Sequence, residues 1–118
     1  MAEYGFVYCL SNRGMAGVYK IGFTRNSPHL RAQQLSAPTG VPAEFEVEWY
    51  AECEEADVLE KELHDRFSFD RVSSSREFFR GCPIEMFNAL DYRQVSYWLS
   101  PDHLFRIERE KKKLAVVV

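Results

Sequence analysis

The chain has 118 residues, 46% of them hydrophobic and 28% charged, and a formal net charge of −3. That supports one globular domain with a modest core. No run approaches the roughly 18 uninterrupted apolar residues of a membrane span, and the acidic balance argues against tight nonspecific binding of nucleic acid. The N-terminus lacks a basic flank followed by an apolar signal region, so the expected location is cytoplasmic. Cys9, Cys53 and Cys82 show no CxxC spacing, which leaves neither a disulfide framework nor a four-cysteine zinc site.

Along the chain, Phe6 to Leu10 and Val18 to Phe23 are short apolar runs joined by the turn-rich Ser11 to Gly17, the pattern of a β-hairpin. Ser27-Pro28 opens a helix, because the serine oxygen can take an orphan amide and proline loses nothing at the first position. Arg31 falls one turn into it. Ala37 to Pro42 cannot continue the helix and reads as a loop. Glu44 to Glu52 alternates acids with large apolar residues, which predicts a half-buried strand with Phe45, Val47 and Trp49 facing the core.

From Glu54 to Phe67 the spacing of Ala56, Leu59, Leu63 and Phe67 changes to a helical period, with His64 one turn beyond Glu60 on the flank. Ser68 to Ser75 is polar and reads as loop. Arg76 to Arg80 sets Glu77 beside two phenylalanines, as in an element docked on the core with one acid directed outward. Pro83 opens another helix expected to run to about Trp98, with Ile84, Phe87, Leu90 and Tyr97 inward. Pro101 ends it. Residues 1–100 then form the domain and 101–118 a partly helical tail, in which Leu114 to Val118 is too short for a helix of its own. The Lys111 to Lys113 run reads as a solubilising face or a nonspecific DNA contact.

Charge is unevenly spread. Residues 1–40 carry +3, residues 41–70 carry −9 and the remainder +3. Phosphates would therefore approach through the first and last segments, with Arg13, Arg25 and Arg31 as candidate DNA contacts. HExxH, GxxxxGK[ST] and GxSxG are absent, which removes zinc-peptidase, P-loop and hydrolase-elbow readings. A tyrosine, a lysine, an arginine and a distant glutamate remain. These are the types that one-metal phosphodiester cleavage requires: a base for water, a cation for developing charge and a carboxylate for the metal.

Phe6-Val7-Tyr8, Lys20-Ile21-Gly22, Arg31 and Glu77, in that order, resemble the signature of the GIY-YIG nuclease superfamily over about Tyr4 to Arg80. The blocks Val18 to Gly22, Leu35-Ser36, Thr39 to Pro42, Glu60 to Phe67 and Glu77 to Phe79 are similar to its phage and bacterial branch. The resemblance implies an α+β fold, with a small, mainly antiparallel sheet of three strands flanked by helices and a DNA-cleaving site on one face. It places Tyr8 as the residue that positions or activates water, Gly22 as the motif glycine, Arg31 on the developing charge and Glu77 as ligand to Mg2+ or Mn2+. His64 would assist.

The sequence departs from the pattern at Phe6, where the first glycine usually stands, and at Lys20, which replaces the first tyrosine of YIG. Tyr19 cannot substitute, because strand neighbours point to opposite faces. Lys20 would then act electrostatically, or as a base if burial or Arg31 lowers its pKa. Taken singly, Tyr8 is also an ordinary core-edge aromatic, Lys20 a solvated charge, Arg31 a helix residue, Glu77 a surface acid and His64 a loop partner. The expectation is a metal-dependent DNA endonuclease, its specificity supplied by a homodimer or a separate protein. The alternatives are a degenerate domain that binds DNA without cutting and an interaction module using the acidic face.

Overall fold

The computed structural model describes residues 2–38, 40–72 and 77–117, the last four without their side chains. Thr39 of the expected loop, residues 73–75 of the expected polar loop and Arg76 of the segment after it lie outside the described residues. Among those described, β1 (Gly5–Asn12), β2 (Val18–Thr24), β3 (Phe45–Cys53), β4 (Phe78–Arg80) and β5 (Ser96–Leu99) form one antiparallel sheet in the order β4-β2-β1-β3-β5. Four helices, α1 (Pro28–Ser36), α2 (Ala56–Arg66), α3 (Pro83–Asn88) and α4 (Pro101–Val117), complete an α+β fold. No helix among the described residues is long and apolar enough to cross a membrane.

The β1–β2 hairpin is set by Asn12. Its carbonyl accepts from Met15 N at 2.8 Å, its side-chain oxygen accepts from Gly14 N at 2.9 Å, and its amide donates to Ala43 O at 2.7 Å. One buried asparagine thus closes the turn and clamps the loop before β3 to it, with every polar atom of its side chain satisfied. Ser27 caps α1 through Leu30 N, with Pro28 at the first position, as its sequence predicts.

Two apolar layers sandwich the sheet. The larger joins Val7, Cys9, Tyr19, Ile21, Trp49 and Phe79 to Leu59 and Leu63 of α2 and Met86 of α3. The smaller joins Tyr8, Leu10 and Val47 to Ala32 of α1. Burying each leucine of α2 contributes roughly 1.5–3 kcal/mol. Helices α1 and α2 therefore lie on opposite faces, and side chains of both reach one site only around a sheet edge.

The structure corrects the sequence reading in four places. The sheet has five strands, because β4 and β5 extend the expected three on both edges. The helix from Pro83 stops at Asn88 instead of Trp98, since Asp91 and Tyr92 both adopt left-handed φ (55° and 63°) that ends helical hydrogen bonding. Ser96 to Leu99 then pairs with Glu52 to Trp49, leaving Tyr97 57% exposed rather than inward.

Phe45 and Val47 face α1 while Trp49 enters the larger core. Leu10 pairs with Val47 and Cys9 with Trp49, so Glu48 is an extra residue in β3 and the alternation reverses there. Glu48 is only 4% exposed; its carboxylate accepts from Arg106 at 2.5 Å and its carbonyl from Ser100 N at 2.9 Å, which fixes the start of α4. The fourth correction is the tail, where α4 continues through Val117 as one helix.

Candidate active site

Alternation along β2 sends Tyr19 and Ile21 into the larger core and Lys20 and Gly22 to the α1 face. Tyr19 therefore does not stand in for the motif tyrosine. Tyr8 pairs directly with Gly22. A Cβ on Gly22 would lie 2.3 Å from the Tyr8 hydroxyl, so the phenol lies against the glycine and any side chain there would displace it. Arg31, carried round by α1, reaches the Tyr8 hydroxyl. Burial pushes the Tyr8 pKa above its ordinary 10.0, and the Arg31 hydrogen bond and charge oppose that rise.

Glu77 arrives at the same place through strand pairing. Its carbonyl accepts from Ile21 N at 3.1 Å and the next residue, Phe78, pairs with Lys20. The Glu77 carboxylate consequently meets Lys20 Nζ at 3.2 Å, and the ammonium also lies 5.2 Å from the centre of the Phe78 ring.

β4 ends at this point, which leaves the remainder of β2 open to α2. His64 Nε2 lies 2.8 Å from the Ile21 carbonyl oxygen. A carbonyl can only accept, so Nε2 carries a proton there and Nδ1 is the ring nitrogen left to face other groups. Glu60, one turn earlier on α2, completes a group in which one ligating atom each from Glu60, His64 and Glu77 lie within 4.8 Å of one another. Burial, and then the charge of Glu77, push the Glu60 carboxyl up to about 7, with Lys20 pulling it down.

Tyr8, Lys20, Gly22, Arg31, His64 and Glu77 are thus brought together, and Lys20, Arg31 and Glu77 share one cleft of about 600 Å³. Arg13 and Arg25 are not part of it. Arg13 pairs with Glu46 at 3.7 Å and Arg25 forks onto Glu3, both on the surface. Glu60 is the residue that sequence reasoning missed as a site member. Its i, i+4 spacing to His64 was the available signal.

The donor types fit a divalent cation: two carboxylates and an imidazole, with the pKa of the Glu60 carboxyl raised chiefly by burial. A family model described as the T5orf172 domain matches residues 5–100. The chain belongs to the T5orf172 domain family. No significant match is found among curated proteins or solved structures. The match to the T5orf172 domain takes in β1 through β5, and with them every residue of the cluster, and it stops where α4 begins.

Proposed function

We propose that this T5orf172 domain is a metal-dependent DNA endonuclease of GIY-YIG type, active on phosphodiester bonds with Mg2+ or Mn2+. The observation that carries the reading is the convergence of Tyr8 from β1, Lys20 from β2, Arg31 from α1 and Glu77 from just before β4, with Glu60 and His64 beside them. T5orf172 domains are associated with nuclease-like proteins of phages and bacteria, which supports the same class.

Glu77 would hold the metal, with Glu60 and His64 as its neighbours in the donor set. A bound divalent cation would polarise a phosphate oxygen and stabilise developing charge. Arg31, on the α1 side of the cleft, offers a planar fork that matches two phosphate oxygens. Tyr8, held between Gly22 and Arg31, keeps its proton at neutral pH and orients the attacking water by hydrogen bonding. Lys20 adds a second cation where negative charge accumulates. Specificity would come from a second copy or from another protein, and the cytoplasm is the compartment proposed.

A second reading follows from Lys20. Its ion pair already occupies Glu77, as in a domain that binds DNA without cutting it. Incubating supercoiled plasmid with the protein separates the two. Nicking that requires Mg2+ or Mn2+, stops in chelator and disappears in Glu77→Gln supports the nuclease. DNA binding without metal-dependent nicking, or a wild-type rate in Glu77→Gln, refutes it.

A further inference from the structure

Besides Lys20, Arg31 and Glu77, the lining of the cleft carries no charged residue among the described residues. Its other walls include Met15, Leu35, Val41, Phe45, Val72 and Phe78, and the rings of Phe45 and Phe78 stack at 6.2 Å with 27° between their planes. The apolar wall is a fixed construction. The Asn12 amide holds Ala43, Gly14 packs so closely on Pro42 that a Cβ would sit 2.3 Å from it, and Ser36 Oγ donates to Ala32 O at 2.6 Å while accepting from Phe45 N at 2.8 Å. Pro42, Ala43 and Phe45 are thus anchored to the β1–β2 turn and to α1, with their apolar groups around the open cleft. Half-buried apolar walls around an open cleft favour an occupant that is itself partly apolar.

Cutting a fully paired duplex needs only cations and a metal at the backbone, because the bases remain inside the stack. An apolar chamber next to the cations would then face water. An anionic group joined to a flat apolar one matches both kinds of lining at once, and the volume lies within the roughly 300–1,000 Å³ of small-molecule sites. We propose that the chamber receives one nucleobase of the DNA strand, unpaired or extruded, while Lys20 and Arg31 face the adjoining phosphate. This rests on the nuclease reading for the identity of the polymer, and names its preferred substrate as DNA with an unpaired nucleotide beside the scissile bond.

The energetic logic sets the direction of the preference. Extrusion from an intact duplex costs unstacking and unpairing, whereas a mismatched or single-stranded nucleotide has already lost most of that. Stacking on the Phe45–Phe78 wall is gained in every case. Discrimination should therefore appear in binding, before any chemistry.

The test is fluorescence anisotropy with the full chain in chelator, using one oligonucleotide sequence as a paired duplex, as a duplex with one mismatch and as a single strand. The mismatched and single-stranded forms should bind about tenfold or more tightly than the paired duplex. Val41→Trp, or Met15→Trp where the first does not fold by circular dichroism, fills the chamber and should bring that ratio close to one. Equal affinity for all three forms, or full discrimination in a folded filled variant, overturns the proposal. Competition by a free deoxynucleoside monophosphate as strong as that by the oligonucleotide would also overturn it, since the occupant would then be a small molecule. Metal plays no part in these measurements. Discrimination without metal-dependent nicking would sink the nuclease reading alone, and nicking without discrimination the chamber alone.

Discussion

Lys20 Nζ lies 3.2 Å from Glu77 Oε2, and the lysine side chain is only 13% exposed. The carboxylate proposed to hold the metal is thus already compensated by a cation of the same chain. Replacing Lys20 by Met should leave Glu60 and Glu77 uncompensated, raising Mn2+ affinity several-fold while lowering the nicking rate by about 10²–10³ if the ammonium stabilises the transition state. Calorimetric Mn2+ titration and plasmid nicking measure the two separately. Unchanged values in both would show that the ion pair is a surface ornament.

Gly22→Ala places a methyl 2.3 Å from the Tyr8 hydroxyl and 2.4 Å from the ring carbon that bears it. The phenol must move away from Arg31, at a cost in stability of about 1–3 kcal/mol. Tyr8→Phe keeps the ring in place and should hold its urea midpoint near wild type, yet lose about 10²–10⁴-fold in nicking. A Gly22→Ala protein with wild-type stability and activity would mean that the close approach has no consequence.

Glu60 has a folded pKa of about 7 against an ordinary 4.5, raised chiefly by burial and then by Glu77. The folded chain therefore retains a proton that the unfolded chain releases as pH rises from 4.5 to 7. Stability falls across that window, and the penalty is complete above it. Glu60→Gln should be more stable than wild type at pH 8 by on the order of 1–2 kcal/mol after discounting for solvent screening, and equal to it at pH 4. Mg2+ at pH 8 should stabilise wild type more than the variant. Urea midpoints at the two pH values decide it; a variant no more stable at pH 8 than wild type contradicts the shift.

His103 is 0% exposed, and among the described residues neither of its ring nitrogens has a hydrogen-bond partner. Burial lowers its pKa below the ordinary 6.5, with Glu48 opposing and Arg106 reinforcing that shift. The unfolded chain thus takes up a proton that the folded one refuses. The stability of the neutral ring is complete above pH 6.5 and is lost as pH falls from there through the folded pKa. His103→Leu should flatten the decline in stability between pH 7 and pH 5 and cost little at pH 7.5, because an apolar side chain of similar size removes two unsatisfied buried atoms. A variant whose midpoint falls with acid as steeply as wild type would assign the decline to other groups.

The local grammar of the chain was legible without a structure. The hairpin around Asn12 and Gly14, the Ser27-Pro28 helix start and the apolar period of α2 depend on neighbours within a turn or two, and so did the placement of Lys20 and Gly22 on one side of β2 with Tyr19 on the other. The order Tyr8, Lys20, Gly22, Arg31, Glu77 pointed to one place through its resemblance to a family signature, and the fold brings these residues together.

Only the tertiary structure decided the rest, because each item depends on a partner far away in sequence. β5 exists because the exposed edge of β3 accepts Ser96 to Leu99. The reversal of facing at Glu48 comes from pairing β1 with a strand one residue too long, which alternation cannot register in advance. Glu46 and Glu3 pair with Arg13 and Arg25 on the surface, away from the cleft that Arg31 lines. Glu60 joins the site since α2, packed on the opposite face from α1, reaches round the edge of β2 beyond the end of β4 and sets its carboxylate beside Glu77. Sequence fixes which groups a chain can bring; the desolvation and charge that give a group its chemistry arise only where the fold packs it.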